Sequence, residues 1–388
     1  MIRDVIIIGS NNFNELGIVR CFGKYGIKPD GILIIPKHKR KYSFIQRSRY
    51  WNKISFAETA EEALSILQKH YSGNPIRPVV ISPMDKVVFL MDQNRSKYAG
   101  DFIFPSFQKS GNSIFHLAEK KVQADFARQN GFSMLPSTEI MLEHPEFPES
   151  FPVILKPCSG GEGKKENIIL CKTEQEFSDG IKDLRKTGLS RILCQPYLET
   201  KQEYVVSGAV SPGCGFISFA ILKTVRKSQL VWGFGAVSEI ISDEKINEFV
   251  SHLTDMLSEK GFDGPFDIEL FQTSDDEIII NEFNWRSSGS NFISHFTGDP
   301  PILHWYLGKC GCSFPHRIIN KKTGFRMYET LETDLYLQGK ISFREMISDF
   351  RKTDVFSLWD PADPYPVLIP YLSILKKILF KWFSRKRI

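Results

Sequence analysis

Residues 262–291 form two strand-like runs separated by a polar turn, and no other segment constrains the fold of this chain as strongly. The turn, Thr273–Glu277, predicts a β-hairpin. A turn centred on its two adjacent aspartates would pair Thr273 with Ile278 and leave a loop of four residues, which is an accepted hairpin length. This register decides which side chains share a face of the hairpin.

The predicted register places four polar side chains on one face. Glu269 lies opposite Glu282, and the two-residue period of a strand adds Asp267 and Asn284. Directly opposed carboxylates lie about 5 Å apart and repel each other, and a hard divalent cation between them would remove the repulsion. Oxygen ligands with an amide suit Mg²⁺ that holds nucleotide phosphates. The alternative, a solvated acidic face, fits less well because Ile278–Ile280 indicate a core strand.

Arg286 follows Asn284 by two residues and falls on the same face if the strand continues. A guanidinium at this position would face the same phosphates or an anionic substrate. The alternative is an ordinary surface arginine.

A lysine beside a glycine-rich loop gives a second candidate site. The apolar run Phe151–Lys156 predicts a buried strand that ends at the lysine, and Gly160, Gly161 and Gly163 follow it. Such a loop lets the backbone approach phosphate oxygens closely, while the ammonium group supplies a point charge. The loop lacks the Gly-Lys-Ser/Thr of a Walker loop, and a plain glycine turn is the alternative.

The first part of the chain alternates strands with helices. The β-branched run Val5–Ile8 ends at Gly9, and helical spacing follows over Asn14–Tyr25. The alternation continues to about residue 112, which predicts a doubly wound α/β sheet. The polar loop Ser10–Asn14 lies at the carboxyl end of the first strand, where such sheets place ligands. Its glycines do not form the spaced triplet of a dinucleotide fold, so an NAD-linked oxidoreductase is the weaker alternative.

Composition and charge exclude several classes of protein. The chain has 388 residues, enough for two or three domains, and is 42% hydrophobic, unlike a disordered or fibrous protein. Six basic and no acidic residues in 364–388 account for the net charge of +5, so a diffuse nucleic-acid surface is not expected. Seven cysteines show no disulfide or standard zinc spacing, and no secretory or membrane-spanning segment is evident. We therefore expect a cytoplasmic protein.

In their order along the chain, these motifs resemble those of the ATP-grasp enzymes, above all the carboxylate–amine ligases and the biotin-carboxylase and carbamoyl-phosphate-synthetase branch. The resemblance covers roughly residues 1–310. Lys120 matches the lysine that opens the central-domain helix, because it precedes Gly131 by eleven residues, and Lys121 is the fallback. The segment Gln195–Leu198 matches the hinge that binds adenine through backbone groups.

The resemblance implies an ATP- and Mg²⁺-dependent ligase, with Mn²⁺ as an alternative ion, that activates a carboxylate as an acyl phosphate and joins it to an amine. The implied ATP contacts are Lys120, Lys156, Gly160, Gly161, Gly163, Gln195, Tyr197, Leu198 and Glu203. The implied metal ligands are Glu269, Glu282 and Asn284, and Arg286 is the implied catalytic residue. Ser10, Asn11 and Ser288 are predicted to contact the substrate.

The chain departs from the family pattern at three places. Gln195 stands where an acid is common, Trp285 replaces the usual proline of the metal motif, and a Lys-Lys pair follows the glycine loop. The set of metal-binding residues is intact. A ligase is therefore favoured over the main alternative, an ATP-binding scaffold that has lost its chemistry.

We expect a multidomain α/β and α+β fold. Residues 1–112 would form an N-terminal α/β domain, and residues 113–312 the ATP-grasp domain with a lid-like subdomain at about 136–196. Residues 313–388 would form a helical appendage, with helix patterns near Leu331–Gln338 and Phe343–Phe350.

The last predicted helix, residues 371–388, is basic and amphipathic. Its apolar residues near one face are Leu372, Leu375, Leu379, Trp382 and Phe383. Two interpretations stand: the helix binds the inner face of an anionic membrane, or it docks on the body with a solvated basic end. The other expected partners are a small-molecule carboxylate and an amine, and no nucleic acid.

Overall fold

The computed structural model describes residues 2–109, 111–158, 167–227, 235–288, 290, 293–298 and 300–385. The described residues form three β-sheets with helices packed against them, which confirms the predicted α/β and α+β fold class. Among these residues, no helix has both the length and the apolar character that crossing a membrane requires.

The N-terminal sheet is parallel and is flanked by helices. Its strands are β1 (Val5–Gly9), β2 (Asp30–Ile34), β3 (Ile54–Ala57) and β4 (Val79–Ile81), and its helices are α1 (Phe13–Lys24), α2 (Ala60–Tyr71), α3 (Asp85–Gln93) and α4 (Arg95–Tyr98). The strand order is β3-β2-β1-β4. Ile7 packs into one core cluster and Ile8 into another, so β1 is buried on both faces and its sequence is a continuous apolar run.

The basic segment 37–53 forms two 3₁₀ turns, Lys37–Tyr42 and Ile45–Arg47. Its apolar residues Ile45 and Trp51 are buried, whereas Tyr42 is exposed. The segment is therefore held in place by a few apolar residues between solvated lysines and arginines.

A second, smaller sheet is antiparallel, with strand order β6-β9-β7-β8. Its strands are β6 (Thr138–Met141), β7 (Val153–Lys156), β8 (Ile169–Cys171) and β9 (Arg191–Pro196), and helix α6 (Glu174–Arg185) lies between the last two. Strand β5 (Ser106–Phe107) and helix α5 (Lys120–Gln129) precede this sheet in the chain. Helix α5 begins at Lys120, after a 3₁₀ turn at His116–Ala118. Phe177, Ile181 and Leu184 on α6 pack against the sheet.

The main sheet has the order β14-β13-β10-β11-β12-β16-β17, with β5 paired to β13 and β15 to β11. Its remaining strands are β10 (Gln202–Ser211), β11 (Phe216–Lys227), β12 (Gly235–Ile241), β13 (Phe262–Gln272), β14 (Ile278–Asn284), β15 (Arg317–Ile319), β16 (Gly324–Met327) and β17 (Val355–Phe356). The predicted appendage thus adds three strands to this sheet. Helix α7 (Glu244–Glu259) packs on one face through Ile246, Val250, Leu253 and Leu257.

The remaining helices are α8 (Ser294–Thr297), α9 (Pro301–Lys309), α10 (Glu329–Leu337), α11 (Phe343–Lys352) and α12 (Leu368–Arg385). Helices α10 and α11 confirm the two helix patterns predicted in this part of the chain.

The predicted hairpin forms, but its register near the turn is wrong by one residue. Thr273 N–H donates to the carbonyl of Glu277, and Ile278 pairs with Gln272 and not with Thr273. The loop is tighter than expected because Asp276 adopts a left-handed conformation, with φ 64°. A β-bulge at Asn281 then inserts one residue into β14 and shifts the register back.

Candidate active site

Two carboxylates lie opposite each other on neighbouring strands of the main sheet. Glu269 on β13 pairs with Glu282 on β14, which confirms the predicted pairing. Each carboxylate has a compensating neighbour. Asn281 Nδ2 donates a hydrogen bond of 3.0 Å to Glu269 Oε2, and Lys120 Nζ lies 3.3 Å from Glu282 Oε1.

The oxygen atoms of this hairpin suit a hard divalent cation that also binds phosphate. Asp267 pairs with Asn284, which places a second oxygen-bearing pair beside Glu269 and Glu282 on the same face. In the described part of the chain, no three His, Cys, Asp or Glu side chains form a ready-made metal cluster. Mg²⁺ is usually held by one or two carboxylates together with substrate phosphates. The donor set therefore fits Mg²⁺ that arrives with a nucleotide.

Two lysines from different elements join this acid pair. Lys120 N–H, at the start of α5, donates to the carbonyl of Cys158, just beyond the strand β7 that ends at Lys156. Lys156 is 7% exposed. Burial first, and the charge of Lys120 second, lower its pKa to about 8, while Glu282 and Glu269 act in the opposite direction. The four side chains thus form one electrostatic unit.

The strand that carries the acid and amide ligands is fixed along its outer edge. Gln123 on α5 donates from Nε2 to the carbonyl of Phe283 at 2.9 Å and accepts the Phe283 N–H at 3.1 Å. Trp285 stacks on Phe283 with ring centroids 5.0 Å apart, and its Nε1–H donates to the carbonyl of Leu117. Trp285 is therefore a buried anchor beside the candidate ligand Asn284.

Arg286 lies against an acidic residue of helix α3, which flanks the N-terminal sheet. Its Nε and Nη2 donate to the two carboxylate oxygens of Asp85, at 2.9 and 3.2 Å, and Nη2 also lies 3.3 Å from Asn284 Oδ1. Burial alone would lower the pKa of Arg286, but the charges of Asp85, Asp267 and Glu282 raise it. The guanidinium is therefore held charged, close to the predicted metal ligands.

The space beside the loop after β1 is filled by the side chain of Glu15, from the helix that follows this loop. Glu15 on α1 is buried, and its Oε1 accepts hydrogen bonds from the N–H and the hydroxyl of Ser10. Burial raises the pKa of Glu15 to about 7, against the effects of Ser10 and the more distant charge of Arg286. A Cβ on Gly9 would stand 2.2 Å from Glu15 Cγ, so glycine is needed there. This carboxyl group lies near the N-terminus of α1, where a dinucleotide fold leaves room for pyrophosphate.

Asn11 supports the neighbouring basic segment. Its Oδ1 accepts hydrogen bonds from Ser43 Oγ at 2.9 Å and from the Phe44 N–H at 3.0 Å. A substrate contact by Asn11 would therefore use its Nδ2 group.

A buried polar group extends the site beyond the acid pair. Asp267 is buried and accepts a hydrogen bond from the hydroxyl of Ser288, one of the predicted substrate contacts. Burial raises the pKa of Asp267 to about 7, although Arg286, Ser207 and Arg326 lower it. Arg326 reaches this face from β16, where it is buried over the ring of Tyr328.

The predicted hinge lies at the end of the small sheet. Gln195 is buried near the end of β9, in register with Ile154 of β7, and the Tyr197 N–H donates to the carbonyl of Pro152 at 2.9 Å. Glu203 lies on the same face of β10 as Val205, the partner of Glu269, and its Oε1 is 2.6 Å from Lys227 Nζ. Leu198 is partly buried. Gly160, Gly161 and Gly163 lie outside the described residues.

Comparison with solved structures gives the fold. N5-carboxyaminoimidazole synthetase from Staphylococcus aureus, solved with ADP, matches 89% of this chain and 86% of its own at 17% identity, with a TM-score of 0.63. The L-amino acid ligase from Bacillus licheniformis matches 84% of this chain and 79% of its own at 15% identity, with a TM-score of 0.62. No protein-family model and no curated protein matches the chain.

This chain has the ATP-grasp fold. A third similar structure is the biotin carboxylase domain of the Hydrogenobacter thermophilus 2-oxoglutarate carboxylase, solved with MgADP and bicarbonate. It matches 84% of this chain and 74% of its own at 12% identity, with a TM-score of 0.62. The resemblance in motif order and the similarity in three-dimensional structure therefore agree on the same fold.

Several residues of the candidate site are not among the sequence-predicted ones. Asp85, Glu15, Gln123 and Asn281 all contact or support predicted site residues in the structure. The periodicity of apolar residues does not reveal them. Asp85 and Gln123 contact residues far away in the sequence, and Glu15 binds the loop residue Ser10. Only the bulge residue Asn281 lies in a segment that the hairpin pattern covers.

Proposed function

We propose that this protein is an ATP- and Mg²⁺-dependent ligase that activates a substrate carboxylate as an acyl phosphate and joins it to an amine. The observation that carries the proposal is the opposed pair Glu269 and Glu282, with Lys120 in contact with Glu282 and with Lys156 close enough for both carboxylates to raise its pKa. Two partly exposed acids beside one partly exposed and one buried lysine are poised for a ligand that brings both cationic and anionic charge, as a magnesium nucleotide does.

The acidic and the basic residues would bind different parts of the magnesium nucleotide. Glu269, Glu282 and Asn284 would hold the metal ion, which when bound draws negative charge from the phosphate oxygens. Lys120 and Lys156 would neutralise further negative charge on the phosphates. Because Lys156 is buried, its charge acts with little screening by water.

The ligation needs two displacements. A carboxylate oxygen attacks the γ-phosphorus, the bond to the β-phosphate oxygen breaks, and ADP leaves with that electron pair. The amine nitrogen then attacks the acyl carbon, the bond to the phosphate oxygen breaks, and phosphate leaves while the nitrogen loses a proton. Arg286 would stabilise the equatorial phosphoryl oxygens in the first displacement and orient the acyl phosphate in the second.

The substrates would bind between the main sheet and the N-terminal domain. Arg286 lies at that junction, where Asp85 and Glu15 come from the N-terminal domain and Asp267 from the main sheet. Ser10 is bound to Glu15 and Ser288 to Asp267, so both predicted substrate contacts adjoin buried carboxyl groups. Buried carboxyl groups near the reacting phosphate favour an acceptor that carries hydrogen-bond donors, such as an amine.

The test is Mg²⁺-dependent release of ADP against a panel of amino acids and sugar acids, with mass spectrometry of the products. Glu282→Gln keeps the shape of the side chain and should lower ADP release at least about 100-fold. Glu277→Gln, in the exposed turn of the same hairpin, is the matched control and should change little. Unchanged turnover in Glu282→Gln would refute the metal assignment, and ATP binding without ADP formation across the panel would indicate a scaffold.

A further inference from the structure

The outer face of the last helix, α12, carries a row of exposed leucines. Leu368, Leu372, Leu375 and Leu379, here called the leucine stripe, are between 39% and 58% exposed. Their spacing of four, three and four residues places them on one side of the helix, over a length of about 17 Å. A surface helix normally presents polar residues on its outer side, so this stripe requires an explanation.

The leucine stripe is not the surface that holds α12 on the protein. Helix α12 packs beside α10, and the partly buried residues Tyr371, Ile374 and Ile378 form a different row along it. Tyr371 Oη donates to Glu329 Oε1 at 3.3 Å, and Lys377 Nζ lies 2.9 Å from Asp334 Oδ1 on α10. The helix therefore has two apolar rows, one used for docking and one turned to solvent.

The charges around the stripe identify the kind of partner. Residues 364–388 contain six basic residues and no acidic one, and Lys376 is exposed beside the stripe. Pairing with a second copy of the helix would bring like charges together. Binding to an anionic lipid surface would instead be stabilised by about 1 kcal/mol for each basic residue close to that surface.

We propose that α12 lies in the plane of an anionic lipid bilayer, with the leucine stripe at the boundary between headgroups and acyl chains. The helix would lie along the surface and not cross it, because Lys376 and Lys377 fall in its middle, where a crossing helix is apolar, and Lys381 follows one turn later. Leu372, Leu375 and Leu379 supply the apolar contact, and the lysines and arginines select anionic headgroups. This inference does not depend on the proposed ligase activity.

The experiment is co-sedimentation of the full-length protein with vesicles. Vesicles of phosphatidylcholine with roughly 30% phosphatidylglycerol are compared with pure phosphatidylcholine, and we expect roughly fivefold more protein to pellet with the anionic vesicles. Salt at about 0.5 M should release much of it, because the Debye length shrinks.

The decisive variant is the triple substitution Leu372→Ser, Leu375→Ser and Leu379→Ser, which changes exposed side chains only and should leave the melting temperature nearly unchanged. Roughly fivefold less of this variant than of the wild type should pellet with the anionic vesicles. The matched control is Ile2→Ser, Met141→Ser and Val225→Ser, which removes exposed apolar side chains elsewhere and should bind like the wild type.

Three outcomes would overturn the proposal. They are equal pelleting with neutral and anionic vesicles, equal binding by the stripe variant and the wild type, and a dimer in light scattering that the stripe variant converts to a monomer. The last result would assign the stripe to a second copy of the chain.

Discussion

Arg286 and Asp85 are joined by two hydrogen bonds, although 201 residues separate them in the chain. The aspartate opens helix α3 beside the N-terminal sheet, whereas the arginine follows strand β14 of the main sheet. The pair is only partly exposed, so water screens it weakly. Through it, helix α3 fixes the orientation of the proposed catalytic guanidinium.

Asp85→Asn should therefore impair the reaction without preventing nucleotide binding. The amide keeps the size of the side chain but removes the charge that holds Arg286, so we expect kcat for ADP release to fall about 10-fold, or about 1.4 kcal/mol. ATP affinity, measured by calorimetry, should change less than kcat, because Asp85 is not among the proposed nucleotide contacts.

The control for this variant is Glu61→Gln. It removes an exposed ion pair with Lys86 in the same domain, where both side chains are more than half exposed, and such pairs contribute little. If Asp85→Asn and Glu61→Gln had the same kcat, Asp85 would have no role in positioning Arg286.

Lys156 should make ATP binding dependent on pH in the alkaline range. Its pKa is lowered to about 8, mainly by burial, and a triphosphate beside it would raise that pKa again. Between about pH 8 and the higher pKa of the complex, binding therefore takes up a proton, and ATP affinity falls as pH rises through about 8.

Calorimetry near pH 8.5 in two buffers with different ionisation enthalpies measures this proton uptake. Lys156→Arg stays protonated in this range and should show less uptake. Uptake of the same size in Lys156→Arg would mean that another group titrates.

The hairpin shows how far the sequence alone predicts this site. Strand alternation correctly places Glu269 opposite Glu282, because side chains on one face follow a period of two. The turn was expected to be one residue longer than it is, and the bulge at Asn281 compensates for that difference. A bulge depends on local hydrogen bonding, here from Asn281 to Glu269, which hydrophobic periodicity does not show.

Residues that act between domains could not be predicted in the same way. The motifs of the proposed nucleotide site are local in sequence, so Lys156 and Glu282 could be assigned roles from their own strands. Asp85 and Glu15 gain roles only when the N-terminal sheet packs near Arg286. The alternation of strands and helices predicts that sheet but not which residue at a helix N-terminus meets the arginine.

Gly9→Ala should destabilise the N-terminal domain through Glu15. The new Cβ would stand 2.2 Å from Glu15 Cγ, and neither group has room to move because both are buried. We expect a loss of about 1–3 kcal/mol in the free energy of unfolding, measured by urea titration. In a Glu15→Ala background the same substitution should cost less than about 1 kcal/mol, because the opposing side chain is gone. Equal costs in the two backgrounds would exclude this contact as the cause.

Gln123 provides the last test, because its side chain makes backbone hydrogen bonds to the outer edge of β14, as a neighbouring strand would. On the outer edge of that strand, the Ile280 N–H donates to the carbonyl of Ser133, and Gln123 pairs with both backbone groups of Phe283. Gln123→Ala would leave those two groups buried without these partners, at a cost of about 2–4 kcal/mol in unfolding free energy.

Phe283 lies between Glu282 and Asn284 in sequence, so the same variant should also weaken Mg²⁺-dependent ATP binding. Gln129→Ala, at the exposed end of the same helix, removes an equal side chain without this contact and is the control. A Gln123→Ala protein that unfolds at the wild-type urea concentration would show that the Gln123 contact does not stabilise β14. If the variant is less stable but binds ATP normally, the edge contact supports the fold without positioning the metal ligands.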